Sequence, residues 1–266
     1  MPAINPSQLK IQVAEVSQHF FQPEDYVPAL HELFNSYANR VHRPGQTGAP
    51  PPQMNSYHVP APVLRTLERE IKEQLLQHPD AGLQLVDKLW DADWLETRLL
   101  AIRYAADLPA DHRNDVLERL TAWLQTCTED RLLKALLDRG LSTVRQHDQE
   151  AFFSFLDDLP AEEEGRRGKL ILYAIQPLVE EEEFENLPAV FRQIKPLLKQ
   201  EHQQHLSDLI QVLKSLARHS EPETLYFLQH QIPTIPQPKM ERLIRGVLEA
   251  FNPEAQEKLK QNIREK

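Results

Sequence analysis

A helical pattern recurs along this chain of 266 residues with a period of about 35 residues. Helices that open with a proline or a polar cap start near six positions at this spacing: Pro79, Pro109, Asp148, Asn186, Pro222 and Pro253. A period in this range is typical of α-solenoids, in which each antiparallel helix pair buries its apolar face against its neighbours. The pattern therefore predicts a stack of about six helix pairs.

The composition favours helices throughout. Seven glycines are too few for a chain rich in sheets, tight turns or phosphate-binding loops. Most of the 21 prolines stand at predicted helix starts or in connections, where a missing N–H costs little. The net charge of −10 repels nucleic acid on average, although a local basic face can still bind it. We therefore predict an all-α chain and favour a protein partner over DNA.

A proline-rich stretch separates the first two predicted helices from the regular pattern. We predict an N-terminal helical cap at 1–61, with the loop at 39–61, and a repeat region at 62–266, all in a single compact unit. Loops of this length are usually functional or disordered. The cationic and aromatic loop residues are suited to grip a phosphate or an acidic peptide; the alternative is that the loop only wraps the cap. These residues are Arg40, His42, Arg43, Tyr57 and His58.

The most distinctive segment, Leu89 to Ala101, joins two tryptophans to a Glu-x-Arg pair: Trp90, Trp94, Glu96 and Arg98. It resembles the Leu-Trp … Glu-x-Arg … Ala segment of the DNA alkylation repair family, the HEAT-like bacterial alkylpurine DNA glycosylases. The helical rhythm agrees with that family from residue 62 onward. The resemblance implies an α-solenoid of HEAT/armadillo-like helix pairs in a right-handed superhelix, whose concave cationic face holds DNA and frees a damaged base.

The resemblance also implies a catalytic region, which this chain does not match. The family relies on aromatic residues with a nearby aspartate in the repeat after the Glu-x-Arg helix. The corresponding residues here, 126–144, contain Asp130 and Asp138 but no aromatic side chain, and Trp123 is a distant substitute. Without aromatic faces, a cationic alkylated base loses cation–π stabilisation. We therefore predict no catalytic residue and no excision of alkylated bases.

The tryptophan segment also has a purely structural interpretation. Residues two apart do not face each other on a helix, so Glu96 and Arg98 are expected to brace separate neighbours rather than pair. Trp90 and Trp94, four apart, are expected to stack on one helix face within the core.

No cofactor and no metal site are predicted. His202 and His205 lie three apart on a predicted helix, but no third ligand completes a site. The single cysteine, Cys127, has no cationic neighbour that would activate it, and it suits a reducing cytoplasm. We recognise no signal peptide and no apolar stretch of the roughly 20 residues that span a bilayer. The expected localisation is cytoplasmic, without a membrane partner.

The leading interpretation is a non-catalytic HEAT-like scaffold that binds a macromolecule, most plausibly a protein, on its concave face. One alternative is a DNA-binding or DNA-repair protein with a rebuilt active site; another is a small-molecule enzyme with its site under the proline loop. A contiguous cationic groove formed by Arg98, Arg103, Arg131, Lys134 and Arg139 would favour DNA. The candidate binding residues are Arg40, Arg43, Tyr57, His58, Trp90, Trp94, Glu96, Arg98, Arg131 and Lys134.

Overall fold

The computed structural model describes residues 4–39, 54–159, 164–200 and 205–264. Every regular element in these ranges is a helix or a helical turn, which confirms the prediction of an all-α chain. The α-helices are α1 (Pro6–Ser17), α2 (Pro23–Tyr37), α3 (Ala61–Gln77), α4 (Pro79–Asp91), α5 (Leu95–Ala106), α6 (Arg113–Thr126), α7 (Asp130–Ala135), α8 (Ser142–His147), α9 (Gln149–Asp157), α10 (Glu164–Val179), α11 (Leu187–Lys199), α12 (Leu206–His219), α13 (Glu221–Gln231), α14 (Gln237–Val247) and α15 (Pro253–Arg264).

The predicted helix starts agree with the structure to within a few residues, for local reasons. Pro79 and Pro253 are the first residues of α4 and α15, where the missing proline N–H breaks no helical hydrogen bond. The Asn186 side chain accepts a hydrogen bond from the N–H of Ala189 and so caps α11. Near Pro109 a short 3₁₀ turn, Ala110–His112, precedes α6.

Contacts divide the chain into two compact units, residues 1–148 and 149–266. The predicted boundary between a cap and a repeat region lies at 61/62, beside the undescribed residues 40–53, and stays a prediction. Within the described part of the chain, no helix combines the length and the apolar character needed to cross a membrane.

In the first unit the helices pack in two rows. We define the first row as α1, α3, α5 and α7 with a π-helical turn, Leu136–Gly140, each element packing on the one before. The second row is α2, α4 and α6: α2 packs on α4, and α4 joins α6 through stacked Trp90 and Trp123 rings, whose centroids lie 4.2 Å apart. Apolar side chains such as Leu67, Leu85 and Leu100 are fully buried between these helices.

The π-helical turn lies between α7 and α8 and separates these two short helices. Gly140 ends this turn, and a Cβ atom there would lie 2.9 Å from Cδ2 of Leu120 in α6. A larger residue at this position would therefore have to displace the end of the buried Leu120 side chain. The turn places Arg139 at the edge of the first row, next to α3 and α5.

In the second unit α10, α12 and α14 pack side by side, and α11, α13 and α15 form a matching row. Gln193 of α11 donates a hydrogen bond to Asp157 at the end of α9, over 2.7 Å. The buried ammonium of Lys239 donates to the carbonyls of Leu197 (2.6 Å) and Gln200 (2.7 Å), and so satisfies the C-terminal end of α11.

Candidate nucleic-acid interface

The first candidate feature is a group of rings and a carboxylate at the N-terminal end of α5, which we call the aromatic cluster: His31, Tyr57, Trp94 and Glu96. The Tyr57 and Trp94 rings stack with centroids 4.2 Å apart and planes 17° from parallel. The His31 ring meets the edge of Trp94, and its Nδ1 lies 3.0 Å from the Tyr57 hydroxyl. All three rings are half-buried, so part of each faces solvent.

Within the aromatic cluster, Glu96 is the hydrogen-bond acceptor that positions the segment carrying Tyr57. Its side chain is buried, and it accepts hydrogen bonds from the Ser56 hydroxyl (2.7 Å) and from the N–H of Tyr57 (3.1 Å). Ser56 Oγ in turn accepts from the N–H of His58, over 3.1 Å. The carboxylate therefore fixes the segment that carries Tyr57 against the start of α5.

The charge of Glu96 acts on the rings above it. Burial lowers the pKa of His31, while the nearby Glu96 carboxylate partly raises it again. Burial and the same carboxylate both raise the pKa of the Tyr57 hydroxyl. The aromatic cluster thus has a negative local potential, which favours a cationic group at its surface.

Backbone strain flanks the stacked rings. His58, directly after Tyr57, has φ 53°, and Asp93, directly before Trp94, has φ 54°. These are the two non-glycine residues with positive φ in the described part of the chain. Such conformations are unfavourable for residues with a Cβ and are frequent at functional sites.

Trp90 and Arg98 form a separate group on the other side of the α4–α5 turn. The Trp90 ring stacks on Trp123, and the Arg98 guanidinium lies 4.8 Å from the Trp90 ring centroid. Arg98 also donates to the Trp90 carbonyl (3.0 Å) and pairs with Asp93 (2.9 Å). The prediction that Trp90 and Trp94 stack on one helix face is wrong, because α4 ends at Asp91 and Trp94 precedes a new helix.

The second candidate feature joins three first-row elements, and we call it the cationic bed: Lys72, Arg103 and Arg139 above the carboxylates Glu68 and Asp107. Arg139 Nη2 lies 2.8 Å from both Glu68 Oε1 and Asp107 Oδ1. Arg103 pairs with the other oxygen of Glu68, and Lys72 Nζ lies 3.6 Å from Asp107 Oδ1. The three cations outnumber the two carboxylates.

In the cationic bed the acidic side chains are less exposed to solvent than the basic ones. The side chains of Asp107 and Glu68 are 6% and 17% exposed, whereas those of Arg139 and Lys72 are 41% and 57% exposed. The carboxylates therefore form the floor, and the cations face solvent. Below this floor the buried hydroxyls of Tyr104 and Tyr26 lie 2.9 Å apart, and burial holds the pKa of both above the usual tyrosine value.

Formal charge differs between the two rows of the first unit. The first-row helices and the π-helical turn carry nine basic and seven acidic residues, and one of the acids, Glu96, is buried in the aromatic cluster. The second-row helices carry three basic and eight acidic residues. A polyanion is therefore attracted to the first row and repelled by the second.

The structure brings together only some of the predicted site residues. Tyr57, His58, Trp94 and Glu96 meet at the aromatic cluster, and of the predicted groove Arg103 and Arg139 meet in the cationic bed. Arg131 and Lys134 are exposed on α7. Arg40, His42 and Arg43 lie outside the described residues, as does His202. Within the described ranges, no three His, Cys, Asp or Glu side chains are placed to hold a metal ion.

Two residues that the sequence analysis compared with the family's catalytic pattern are Trp123 and Asp138. Trp123 is buried against Trp90. Asp138 is exposed and pairs with Arg145 at 3.8 Å.

Sequence reasoning missed five residues of the two candidate features: His31, Ser56, Glu68, Lys72 and Asp107. One signal could have found part of this set, because Arg103 follows Glu68 by 35 residues and Asp107 precedes Arg139 by 32, each close to the repeat period.

Comparison with known proteins gives one family and no individual relative. The family model described as DNA alkylation repair enzyme matches residues 30–246, which include both the aromatic cluster and the cationic bed. No curated protein and no solved structure matches the chain.

This match corrects the leading interpretation from the sequence. A non-catalytic scaffold that binds a protein is wrong, because the matching family is one of DNA repair enzymes. The preference for a protein partner came from averaging, because the net charge of −10 includes the acidic second row and hides the surplus of cations on the first row. The non-catalytic part came from the absence of aromatic residues at 126–144. The match over most of its length shows that the chain belongs to the DNA alkylation repair enzyme family.

Proposed function

We propose that this chain binds alkylated duplex DNA and releases the modified purine base from its sugar. The observation that carries the proposal is the family match over residues 30–246. The DNA-repair alternative from the sequence analysis thereby replaces the protein scaffold. We further propose that the two-row packing of each unit is a HEAT-like stack of helix pairs, as expected from the repeat period.

The first row is the proposed DNA surface. Lys72, Arg103 and Arg139 are cations at the surface that buried Asp107 and half-buried Glu68 hold in place, and Arg131 and Lys134 add exposed charge on α7. Guanidinium and ammonium groups bind backbone phosphates without regard to base sequence. A DNA-repair protein needs such contacts, because a lesion can occur in any sequence.

The aromatic cluster is the proposed contact for the modified base. Purines alkylated on a ring nitrogen carry a positive charge, which is attracted to aromatic faces. Tyr57 and Trp94 offer partly exposed rings, and the buried Glu96 charge beneath them adds to this attraction. The family pattern predicts aromatic residues within 126–144. In this chain the aromatic side chains proposed for base recognition lie outside that range, at Tyr57 and Trp94.

Binding is tested with a duplex of about 20 base pairs at several salt concentrations. Each phosphate contact contributes about one unit to the slope of log K against log salt. Arg103→Ala and Arg139→Ala should each weaken binding and reduce the slope by about one. Arg119→Ala is the matched control, since Arg119 also pairs with a carboxylate, Asp87 at 2.7 Å, but lies in the second row. If Arg103→Ala and Arg139→Ala gave the same salt slope as the control Arg119→Ala, the first row would be excluded as the DNA surface.

Excision is tested by measuring the release of methylated purine from DNA treated with a methylating agent. Trp94→Leu should reduce release by at least about tenfold, the effect of losing roughly 1.4 kcal/mol of transition-state stabilisation. Phe191→Leu is the matched control, because Phe191 stacks on Phe227 with centroids 4.4 Å apart in the second unit. Absence of release by the wild-type protein would refute the enzymatic proposal while leaving DNA binding to its own test.

A further inference from the structure

The strongest unexplained feature is the Asp107 carboxylate in the cationic bed. Its Oδ2 atom is buried and has no hydrogen-bond partner, whereas Oδ1 is shared by Arg139 (2.8 Å) and Lys72 (3.6 Å). A buried carboxylate with one unpaired oxygen is unfavourable, and it stays ionised only while nearby cations compensate for lost hydration. Asp107 therefore depends on two side chains that are themselves about half exposed.

We propose that DNA phosphates compete with Asp107 for Arg139 and Lys72, so that DNA binding is coupled to the uptake of one proton by Asp107. This inference rests on the proposed function and adds a pH dependence to the same surface. When the two cations turn toward phosphate, the buried carboxylate loses its compensation and takes a proton from solution. Protonation removes the negative charge that would otherwise pull the cations back.

The groups around Asp107 support this coupling. From α3 come Glu68 and Lys72, from the π-helical turn comes Arg139, and α5 itself contributes Arg103 and Tyr104. Burial already raises the Asp107 pKa above its ordinary value of 3.8, and the Glu68 charge raises it too, while Arg139 and Lys72 lower it. Withdrawal of these two cations removes what lowers the pKa, so the pKa in the DNA complex is higher still.

Of the other elements that pack on α5, α7 carries the half-buried Asp130 and the exposed Arg131 and Lys134, and α4 carries two charges in recorded ion pairs. The paired charges of α4 turn to other helices, Asp87 to Arg119 in α6 and Lys88 to Glu24 in α2. Helices α1, α3, α5 and α7 and the π-helical turn contain no histidine. His31 of the aromatic cluster lies on α2, so a pH dependence that Asp107→Asn removes points to this carboxyl group rather than to that histidine.

The sign of the effect follows from linkage. If the complex holds one proton more than the free protein, affinity rises as pH falls, by at most about tenfold in Kd per pH unit. The effect spans the interval between the Asp107 pKa in the free protein and its higher pKa in the complex. DNA phosphate diesters do not titrate in this interval, so the proton resides on the protein.

The experiment measures Kd for an unmodified duplex of about 20 base pairs at pH 5.5, 6.5 and 7.5 and constant salt, by fluorescence anisotropy. Wild-type protein should bind more tightly at the lower pH, and Asp107→Asn should bind tightly throughout with a much smaller pH slope. Glu68→Gln is the matched control: it removes the same charge from the cationic bed, so it should tighten binding but keep a pH dependence, displaced to lower pH because the Glu68 charge no longer raises the Asp107 pKa.

Calorimetry of the wild-type complex gives a second measurement that needs no variant. The heat of binding in two buffers of different ionisation enthalpy yields the number of protons taken up, which should be positive and largest at the pH where Kd changes most steeply. Equal pH slopes for wild type and Asp107→Asn, or no proton uptake, would overturn the inference while leaving DNA binding intact. Absence of DNA binding at every pH would overturn both the inference and the proposed function.

Discussion

Replacing Glu96 with alanine tests the role of the carboxylate beneath the aromatic cluster. The substitution removes the acceptor for the Ser56 hydroxyl, at 2.7 Å, and for the Tyr57 N–H, at 3.1 Å. A buried donor left without a partner costs about 1–3 kcal/mol. Because both donors are only half-buried and water reaches them in part, we expect a total loss of about 2–4 kcal/mol in the free energy of unfolding.

Urea unfolding followed by tryptophan fluorescence measures this loss in the relevant unit. The three tryptophans, Trp90, Trp94 and Trp123, all lie within residues 1–148, so their emission reports that unit alone. With a denaturant slope of about 2 kcal/mol per M, the midpoint should fall by about 1–2 M. Glu96→Gln keeps the volume and one acceptor oxygen and should lose about half as much.

The control for the Glu96 experiment is Glu118→Ala, an exposed carboxylate on α6 of the same unit. Exposed substitutions of this kind change stability by less than about 0.5 kcal/mol. A midpoint for Glu96→Ala equal to that of Glu118→Ala would refute the reasoning, because it would mean that Glu96 does not hold the segment that carries Tyr57.

Three further predictions concern Glu96 and Lys239, whose charged groups are buried. Because the Glu96 charge raises the pKa of His31 against the effect of burial, Glu96→Gln should lower the His31 pKa further, as measured by proton NMR titration of the ring. Lys239→Met leaves the carbonyls of Leu197 and Gln200 without their donor and should destabilise the second unit by about 1–3 kcal/mol in urea unfolding followed by circular dichroism. Burial lowers the Lys239 pKa below 10.5, so the unfolded chain binds more protons, and wild-type stability should rise as pH increases toward that value; the variant should lack this rise.

Local helix signals could be predicted from the sequence because they depend on near neighbours. Pro79 and Asn186 act through the first turn of the helix that follows them, and a helical period gives the apolar faces. The same reasoning failed at Trp90 and Trp94. A four-residue spacing places two rings together only if one helix contains both, and the turn at residues 92–93 separates them.

The candidate site could be predicted only in part, because its contacts join distant helices. The Glu-x-Arg motif drew attention to Glu96, but its partners Ser56 and Tyr57 lie 40 and 39 residues earlier, beyond any local pattern. Part of the cationic bed could have been predicted by comparing equivalent positions in successive repeats. Glu68 and Arg103 are 35 residues apart, and in a stack of similar pairs such residues occupy equivalent positions on adjacent helices.

The arrangement of charge in the first unit also resolves how an acidic chain can belong to a DNA-repair family. Net charge sets the average field around the protein, but a DNA backbone responds to the field of the surface that it approaches. The second row, with eight acidic and three basic residues, would repel DNA and so restrict its approach to the proposed surface on the first row. On that row, Glu68 and Asp107 pair with Arg103, Arg139 and Lys72 and so fix their positions. On the proposed DNA surface the same two carboxylates would compete with phosphate for these cations, and protonation of Asp107 would relieve that competition without moving the backbone that positions them.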